Sequence, residues 1–216
     1  MKEKTVSDKI RSIGVVPVIA IDDAGMAVPL ARALAAGGIS CAEVTFRTAA
    51  ATEAIANISR EVPEMLVGAG TVLTIAQADA AKEAGAAFAV SPGFNPRVVD
   101  HCLQNELPIF PGCATPSEVE QALERGLKTV KFFPAEQAGG LPFLKAIAAP
   151  YSSISFMPTG GIGPHNLAEY LSFGRIMACG GSWMVSKSLI AAGEFDEITR
   201  LCREAADIVR AVRGKE

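Results

Sequence analysis

The sequence contains few aromatic residues, only two histidines and no long hydrophobic run. Aromatic residues make up 6% of the 216 residues, and the first fully apolar run extends only from Val15 to Ile21. The segment from Met1 to Asp8 is charged and lacks the apolar region of a secretory signal. A membrane-spanning helix needs about 20 apolar residues in succession. We therefore expect neither a signal peptide nor a membrane segment.

Charge and cysteine usage argue against further classes of protein. The 20 Lys and Arg residues and 23 Asp and Glu residues give a net charge of −3 without a long basic run, so nucleic acid is not an expected partner. Five cysteines are scattered without a C-x-x-C spacing, which predicts neither a disulfide framework nor a zinc site. No H-E-x-x-H motif, carboxylate cluster or histidine pair indicates a metal. A reducing, cytoplasmic environment is the expectation.

What the sequence does have is a repeat of short β-branched apolar runs, each followed by an alanine-rich amphipathic stretch. The eight runs cover residues 15–21, 42–47, 66–72, 88–92, 108–113, 129–133, 154–159 and 176–179. Such strands alternating with helices form a parallel sheet covered by helices, either a closed barrel or an open doubly wound sheet. Eight repeats favour the barrel. We predict one α/β domain over residues 1–216, a (β/α)8 TIM barrel with minimal loops, because roughly 250 residues are typical of that fold.

Helix start and stop signals lie between the runs. Residues 5–13 are predicted to form an extra N-terminal helix before the first strand. Thr115, Pro116 and Glu118 form a capping-box pattern that begins a helix. Ser182 is expected to begin another helix over residues 183–189.

Lys131 lies inside a predicted strand with apolar residues on both sides, in the run from Val130 to Phe133. A dry environment favours the neutral amine, which can attack a carbonyl carbon and form a Schiff base. Alternatively, the lysine is structural and points outward between helices or pairs with a carboxylate. Catalytic groups of a (β/α)8 barrel lie at the carboxyl ends of the strands, so Lys131 is a candidate catalytic residue.

Three polar residues of the second predicted strand, Glu43, Thr45 and Arg47, share one face because side chains alternate along a strand. One interpretation is a carboxylate base beside a guanidinium that binds an anion. The other is a buried ion pair between Glu43 and Arg47 that supports the barrel. The presence of a lysine on another strand favours the first interpretation.

Glycine pairs follow the seventh and eighth predicted strands, at Gly160-Gly161 and Gly180-Gly181, and Ser182 follows the second pair. Barrels often bind phosphate at this place through backbone N–H groups and the N-terminus of a short helix. One glycine pair usually marks only a tight turn. Two pairs at these two strand ends predict a phosphate site.

The remaining candidates are expected to have structural roles. His101 and His165 fall at predicted helix positions and are expected at the surface. Cys113 and Cys179 are expected to pack as small apolar side chains.

Seven motifs occur in order along the chain, at residues 43–48, 68–72, 91–93, 110–112, 130–136, 158–162 and 180–183. Together they resemble the 2-keto-3-deoxy-6-phosphogluconate (KDPG) aldolase family, whose members are also called 4-hydroxy-2-oxoglutarate (KHG) aldolases. The resemblance runs from about Ile10 to the C-terminal helix. It implies a homotrimeric barrel and a class I aldolase that needs no metal or other cofactor. Its expected ligands are a 2-keto acid and an aldehyde phosphate.

The resemblance also implies a role for individual residues. Lys131 would form the Schiff base, Glu43 would act as general acid and base, and Arg47 would bind the pyruvate-derived carboxylate. The other expected substrate contacts are Thr71, Pro92, Phe133 and Thr159 around the pyruvyl group, and Gly160, Gly161, Gly181 and Ser182 around the phosphate.

Three other functions stay open at this point. An aldolase for the C4 epimer 2-keto-3-deoxy-6-phosphogalactonate, or for unphosphorylated KHG, would share the lysine and the glutamate. A non-catalytic barrel would bind a phosphate-bearing ligand and use Lys131 and Arg47 only as anion ligands. An isomerase of the same fold would use Glu43 as a base without a covalent intermediate.

Overall fold

The computed structural model describes residues 4–214. Residues 1–3, which belong to the segment that argues against a signal peptide, and residues 215–216 of the predicted domain lie outside the described residues. Among the helices of the described residues, none combines the length and the apolar character that crossing a membrane requires.

Parallel strands alternate with helices along residues 4–214, as the apolar runs predict. The strands are β1 Val15–Ile19, β2 Cys41–Thr45, β3 Leu66–Gly70, β4 Ala89–Val90, β5 Ile109–Phe110, β6 Thr129–Phe132, β7 Ser155–Pro158 and β8 Cys179–Gly181. The α-helices are α1 Val6–Ile13, α2 Ala27–Ala36, α3 Ala51–Glu61, α4 Ile75–Glu83, α5 Pro96–Gln104, α6 Pro116–Glu124, α7 Gly140–Ala148, α8 Leu167–Leu171, α9 Lys187–Ala192 and α10 Phe195–Arg213. Two 3₁₀ helices cover Ala24–Met26 and Trp183–Val185.

The strands form a six-stranded and a two-stranded sheet. The larger sheet has the order β5-β4-β3-β2-β1-β8, and β6 pairs with β7. All strand pairs are parallel. Single bridges from Gly112 to Lys131 and from Thr159 to Gly180 connect the two sheets. The fold is therefore α/β, with a curled six-stranded parallel sheet.

The predicted N-terminal helix is confirmed as α1, which begins at a capping box. The Asp8 N–H donates to Thr5 Oγ1 at 3.2 Å, and the Thr5 N–H donates to Asp8 Oδ2 at 3.1 Å. Arg11 donates to the Ser155 hydroxyl at the start of β7. Ile10 is fully buried and packs into an inner cluster of strand side chains, namely Val16, Cys41, Phe88, Val90, Phe110, Met157, Met177 and Ala178. Helix α1 therefore covers the amino ends of the strands.

Side chains alternate along each strand between this inner cluster and the core beneath the helices. On β2, Cys41 belongs to the inner cluster, whereas Ala42 and Val44 pack in the outer core. Glu43 and Thr45 therefore continue the inner face toward the carboxyl end of the strand.

The eighth predicted strand and the helix predicted over residues 183–189 have different bounds in the structure. The eighth strand begins at Cys179, where the apolar run ends, because its pairing with β1 starts opposite Val15. The helix expected over residues 183–189 is a 3₁₀ turn followed by α9. Ser186 separates the two, since its backbone is extended (ψ 147°) and its side chain accepts the Leu189 N–H.

Candidate active site

A buried lysine and a buried glutamate meet on the inner face. Lys131 Nζ donates to Glu43 Oε1 at 3.4 Å, although the residues are 88 positions apart in the sequence. Lys131 is the third residue of β6 and 6% exposed, and Glu43 is the third residue of β2 and fully buried. The lysine does not point outward between helices. It pairs with a carboxylate, which both a catalytic and a structural role allow.

Two buried side-chain oxygen atoms, one of them on Glu43 itself, lack a hydrogen-bond partner among the described residues. Within residues 4–214, Glu43 Oε2 and Thr159 Oγ1 are buried and form no hydrogen bond. Thr159 follows β7 two positions after Met157, the residue that pairs with Lys131. An unsatisfied buried polar atom costs about 1–3 kcal/mol, and a ligand that hydrogen-bonds to these oxygen atoms would remove that cost. This observation favours a ligand site over a purely structural ion pair.

Gly70 leaves room for the Glu43 carboxylate because glycine has no side chain. Gly70 ends β3, opposite Thr45 of β2. A Cβ atom added there would lie 2.4 Å from Glu43 Oε1 and 2.7 Å from Glu43 Cγ. Any side chain at this position must therefore displace the carboxylate.

We expect Gly70→Ala to lower kcat for the reaction of this site by about 100-fold, because a displacement of about 1 Å can have that effect on catalysis. Steady-state kinetics checks this expectation. Gly174→Ala is the matched control, because a Cβ at Gly174 meets no atom within 4 Å. Activity of Gly70→Ala equal to that of the control would show that the carboxylate position is unimportant.

The sequence pattern predicted Arg47 on the second strand, but the structure places it two residues beyond the end of β2 at Thr45. Its side chain is exposed, and its Nε–H donates to Thr45 Oγ1 at 3.0 Å. The Thr45 hydroxyl donates to Ile19 O at 2.6 Å, which anchors the guanidinium to the end of the sheet. In the part of the chain that the structure describes, no carboxylate forms an ion pair with Arg47. The alternative of a Glu43–Arg47 ion pair is therefore wrong, and the guanidinium is available to an anion.

The other predicted pocket residues follow different strands at the same edge. The Phe133 ring centroid is 5.4 Å from Lys131 Nζ, and the residue is 37% exposed. Thr71 directly follows β3 with a left-handed backbone (φ 56°). Pro92 is half-buried after β4, and its carbonyl oxygen closely approaches Gly112. Phe133 thus contacts the lysine, whereas Thr71 and Pro92 are placed only at the rim.

The two glycine pairs lie side by side because Thr159 pairs with Gly180. A Cβ atom at Gly180 would lie 2.3 Å from Thr159 Oγ1, so glycine is required for this close approach. At Gly181 the space for a side chain is filled by the Trp183 ring. Ser182, which lies between Gly181 and Trp183 in the sequence, is exposed. The structure therefore brings together the residues that the sequence assigns to phosphate.

Sequence reasoning missed the side chains that support the turn after β7. The Tyr170 hydroxyl donates to Glu136 Oε1 at 2.5 Å, and Asn166 hydrogen-bonds the turn directly. Desolvation, followed by the contact with Glu136, raises the pKa of the Tyr170 phenol well above its ordinary value, so it stays a donor. Glu136 ends the motif at residues 130–136, whereas no sequence signal separates Asn166 and Tyr170 from ordinary helix residues.

The histidines and cysteines have the structural surroundings that were expected. His165 is exposed, and His101 Nε2 lies 2.6 Å from Asp79 Oδ1 on the neighbouring helix α4. Cys113 and Cys179 are buried, and burial raises the pKa of the Cys113 thiol to about 12 and that of the Cys179 thiol still further. Such thiols stay protonated and are poor nucleophiles. Within residues 4–214, no group of three or more His, Cys, Asp or Glu side chains could hold a metal ion.

The fold and the site define a parallel α/β protein with a buried lysine and glutamate that meet on the inner face of its strands. The sequence model of the KDPG and KHG aldolase family matches residues 6–201. The chain belongs to this family.

Individual relatives agree along nearly the whole chain. The 2-dehydro-3-deoxy-phosphogluconate aldolase of Treponema pallidum (strain Nichols) is 54% identical over 205 residues, which cover 95% of this chain and 98% of the relative. A KDPG aldolase structure from Legionella pneumophila, with pyruvate captured as a covalent carbinolamine, has a TM-score of 0.89 and 41% identity and covers 92% of this chain and 97% of that chain. The KDPG aldolase of Zymomonas mobilis ZM4 with 3-phosphoglycerate has a TM-score of 0.88 and 42% identity and covers 96% and 98%.

Proposed function

We propose that this protein is a class I aldolase that cleaves KDPG to pyruvate and glyceraldehyde 3-phosphate through a Schiff base on Lys131. The observation that carries the proposal is the buried contact of 3.4 Å between Lys131 Nζ and Glu43 Oε1, beside two unpaired oxygen atoms. Family membership and the carbinolamine in the Legionella enzyme support the same chemistry.

In the proposed mechanism, Lys131 in its neutral form attacks the C2 ketone, and the carbinolamine loses water to give an iminium ion. The iminium withdraws electrons from the C3–C4 bond and thereby supplies the electron sink that cleavage needs, so class I chemistry requires no cofactor. Glu43 accepts the proton of the C4 hydroxyl while the bond breaks and the aldehyde leaves. The remaining enamine is protonated at C3, and water hydrolyses the new iminium to release pyruvate and the free lysine.

Substrate orientation is assigned to groups at the carboxyl ends of the strands. The Arg47 guanidinium binds the carboxylate of the 2-keto acid, because a guanidinium can form a bidentate pair with it. Thr71, Pro92, Phe133 and Thr159 surround the pyruvyl group, and Gly160, Gly161, Gly181 and Ser182 bind the phosphate. Binding at the phosphate holds the reacting carbon against the lysine.

We assign KDPG as the main substrate because relatives and solved structures that are 41–54% identical to this chain carry that name. Cleavage of KHG to pyruvate and glyoxylate is a second activity that the family description supports.

The eight strands are proposed to close into one (β/α)8 barrel domain. Support comes from β8 pairing with β1 and from the single bridges on both sides of the β6-β7 pair. The strand order also lacks the reversal that an open doubly wound sheet requires. We further propose a homotrimer, on the family resemblance and the exposed Leu73 and Phe143. The buried free cysteines support a cytoplasmic location.

Product analysis with both C4 epimers tests the proposed function. We expect pyruvate release from KDPG to exceed release from the galactonate-derived epimer by about 10-fold or more, since a mismatched hydroxyl leaves polar groups unpaired. Borohydride reduction in the presence of pyruvate is expected to attach a pyruvyl group to Lys131. Isomerised product without pyruvate would support the isomerase, and no turnover and no adduct would support the non-catalytic binding barrel. Preference for the other epimer would reassign the substrate.

A further inference from the structure

The turn after β7, residues 159–163, is held on one side by the backbone that follows β6. The Ala135 N–H donates to Thr159 O at 2.8 Å, and the Glu136 N–H donates to Gly160 O at 3.1 Å. Two successive carbonyl groups of the turn therefore point toward the same neighbouring segment. Carbonyl groups alternate in direction along an ordinary strand, so this arrangement needs a different backbone conformation. Gly160 supplies it with a positive φ of 105°, which glycine adopts readily.

The direction of these carbonyl groups sets the direction of the N–H groups. In a trans peptide the N–H of the next residue points away from the carbonyl oxygen. The N–H groups of Gly160 and Gly161 are therefore directed away from the β6 side. Strand β8, with Gly181 and Ser182, lies on the other side of β7. The two N–H groups thus face the second half of the phosphate site.

Asn166 completes this arrangement from the start of α8. The residue is 8% exposed, and both polar atoms of its side chain bind the turn. Asn166 Nδ2 donates to Gly161 O at 3.1 Å, and the Gly163 N–H donates to Asn166 Oδ1 at 2.9 Å. The side chain makes no hydrogen bond that caps its own helix. Its polar groups therefore serve the turn and not α8.

Glu136 and Tyr170 form a second support. The side chain of Glu136 packs against Gly161, where an added Cβ would lie 2.6 Å from Glu136 Cγ. The buried Tyr170 hydroxyl holds the Glu136 carboxylate at 2.5 Å. The turn is therefore enclosed by one amide side chain and one hydrogen-bonded carboxylate.

We propose that Asn166 is a positioning residue that holds the glycine turn in its phosphate-binding form and thereby sets the preference for phosphorylated substrate. This inference rests on the proposed function. The Ala135 and Glu136 N–H groups hold the peptides before Gly160 and Gly161, and Asn166 holds the next peptide through Gly161 O. Without the Asn166 amide this peptide can rotate, since Gly161 (φ 76°) tolerates many backbone conformations. A rotated peptide presents the Gly161 carbonyl oxygen to the phosphate, and the partial negative charge of this oxygen repels the phosphate.

Kinetics of Asn166→Ala with two substrates tests the inference. For KDPG we expect KM to rise about 10- to 100-fold with little change in kcat, the loss typical of hydrogen bonds to a charged group. For KHG, which lacks the phosphate, we expect kcat/KM to stay within about threefold, a range that corresponds to less than one ordinary hydrogen bond. Inhibition by inorganic phosphate is expected to weaken by the same factor as KDPG binding.

Asn105→Ala is the matched control. Its side-chain amide also donates to a backbone carbonyl, His101 O at 2.8 Å, but at the C-terminal end of α5. We expect it to leave both substrates unaffected. Tyr170→Phe is a second variant, which removes only the hydroxyl group and is expected to raise KM for KDPG about three- to tenfold. It decides the question if Asn166→Ala does not fold.

Trapping with pyruvate separates failure of the inference from failure of the proposed function. Pyruvate carries no phosphate, so borohydride is expected to reduce a pyruvyl adduct on Lys131 equally well in the wild type and in Asn166→Ala. An equal loss with KDPG and KHG, or an unchanged KM for KDPG in both variants, overturns the role of Asn166 while the wild-type adduct still supports the aldolase. A wild type without an adduct overturns the proposed function itself.

Discussion

Replacing Lys131 by arginine is expected to abolish KDPG cleavage, lowering kcat by about 10⁴-fold or more, as loss of a covalent nucleophile does in other enzymes. Arginine keeps the positive charge, but its guanidinium does not deprotonate and so cannot attack a ketone. Lys131→Ala is expected to lose activity to the same extent. Pyruvate release and mass spectrometry after borohydride reduction measure the two effects.

The arginine variant distinguishes an aldolase from a binding barrel. If Lys131 only binds an anion, Lys131→Arg retains ligand binding and any activity within about tenfold, whereas a nucleophile cannot be replaced in this way. Lys128→Ala is the control, because Lys128 is exposed just before the same strand. Thermal unfolding of all three variants is needed, since removing one partner of a buried ion pair typically costs about 3–5 kcal/mol.

Glu43→Gln is expected to lower kcat by about 10²- to 10⁴-fold, the usual contribution of general acid–base catalysis. Glutamine has the same shape and can still accept a hydrogen bond from Lys131, but it cannot take the proton of the C4 hydroxyl. Steady-state cleavage of KDPG measures the first effect. Exchange of the pyruvate C3 protons with deuterated water measures enamine protonation separately.

The surface variant Glu197→Gln is the control for Glu43→Gln. Glu197 pairs with Arg200 on α10, where the Arg200 side chain is 59% and the Glu197 side chain 40% exposed. We expect this variant to keep wild-type kinetics. Full activity of Glu43→Gln, together with a normal unfolding temperature, would remove Glu43 from the mechanism and leave it as a structural partner of Lys131.

The order of strands and helices was predictable because each element carries a local signal. The apolar runs, the glycine stops and the capping box at Thr115 depend on neighbours within a few residues. The eighth strand was misplaced because the apolar run 176–179 extends before it. Pairing with β1 selects Cys179–Gly181 instead, and that pairing joins residues at opposite ends of the chain.

The identities of the central site residues were also predictable, since a lysine and a glutamate inside apolar runs contradict the pattern around them. Their distance was not predictable, because β2 and β6 belong to different sheets and the two residues are 88 positions apart in the sequence. The predicted position of Arg47 on the second strand was wrong for a similar reason. The end of β2 at Thr45 follows from its pairing with β3 and not from the sequence of the strand.

By itself, the sequence determined the repeating α/β pattern, the family resemblance, and which charged side chains lie within apolar runs. These are properties of residue type and local spacing. The tertiary structure decided which of these groups meet and which stay unpaired. Lys131 donates a hydrogen bond to Glu43, the Thr159 hydroxyl oxygen has no partner among the described residues, and Asn166 binds the glycine turn. Lys131 and Glu43 lie on separate strands, 88 positions apart, so only the packing of the whole chain brings them into hydrogen-bonding distance. Asn166 is three to five positions from its partners, and its contacts depend on the left-handed backbone of the turn, which no local residue pattern specified.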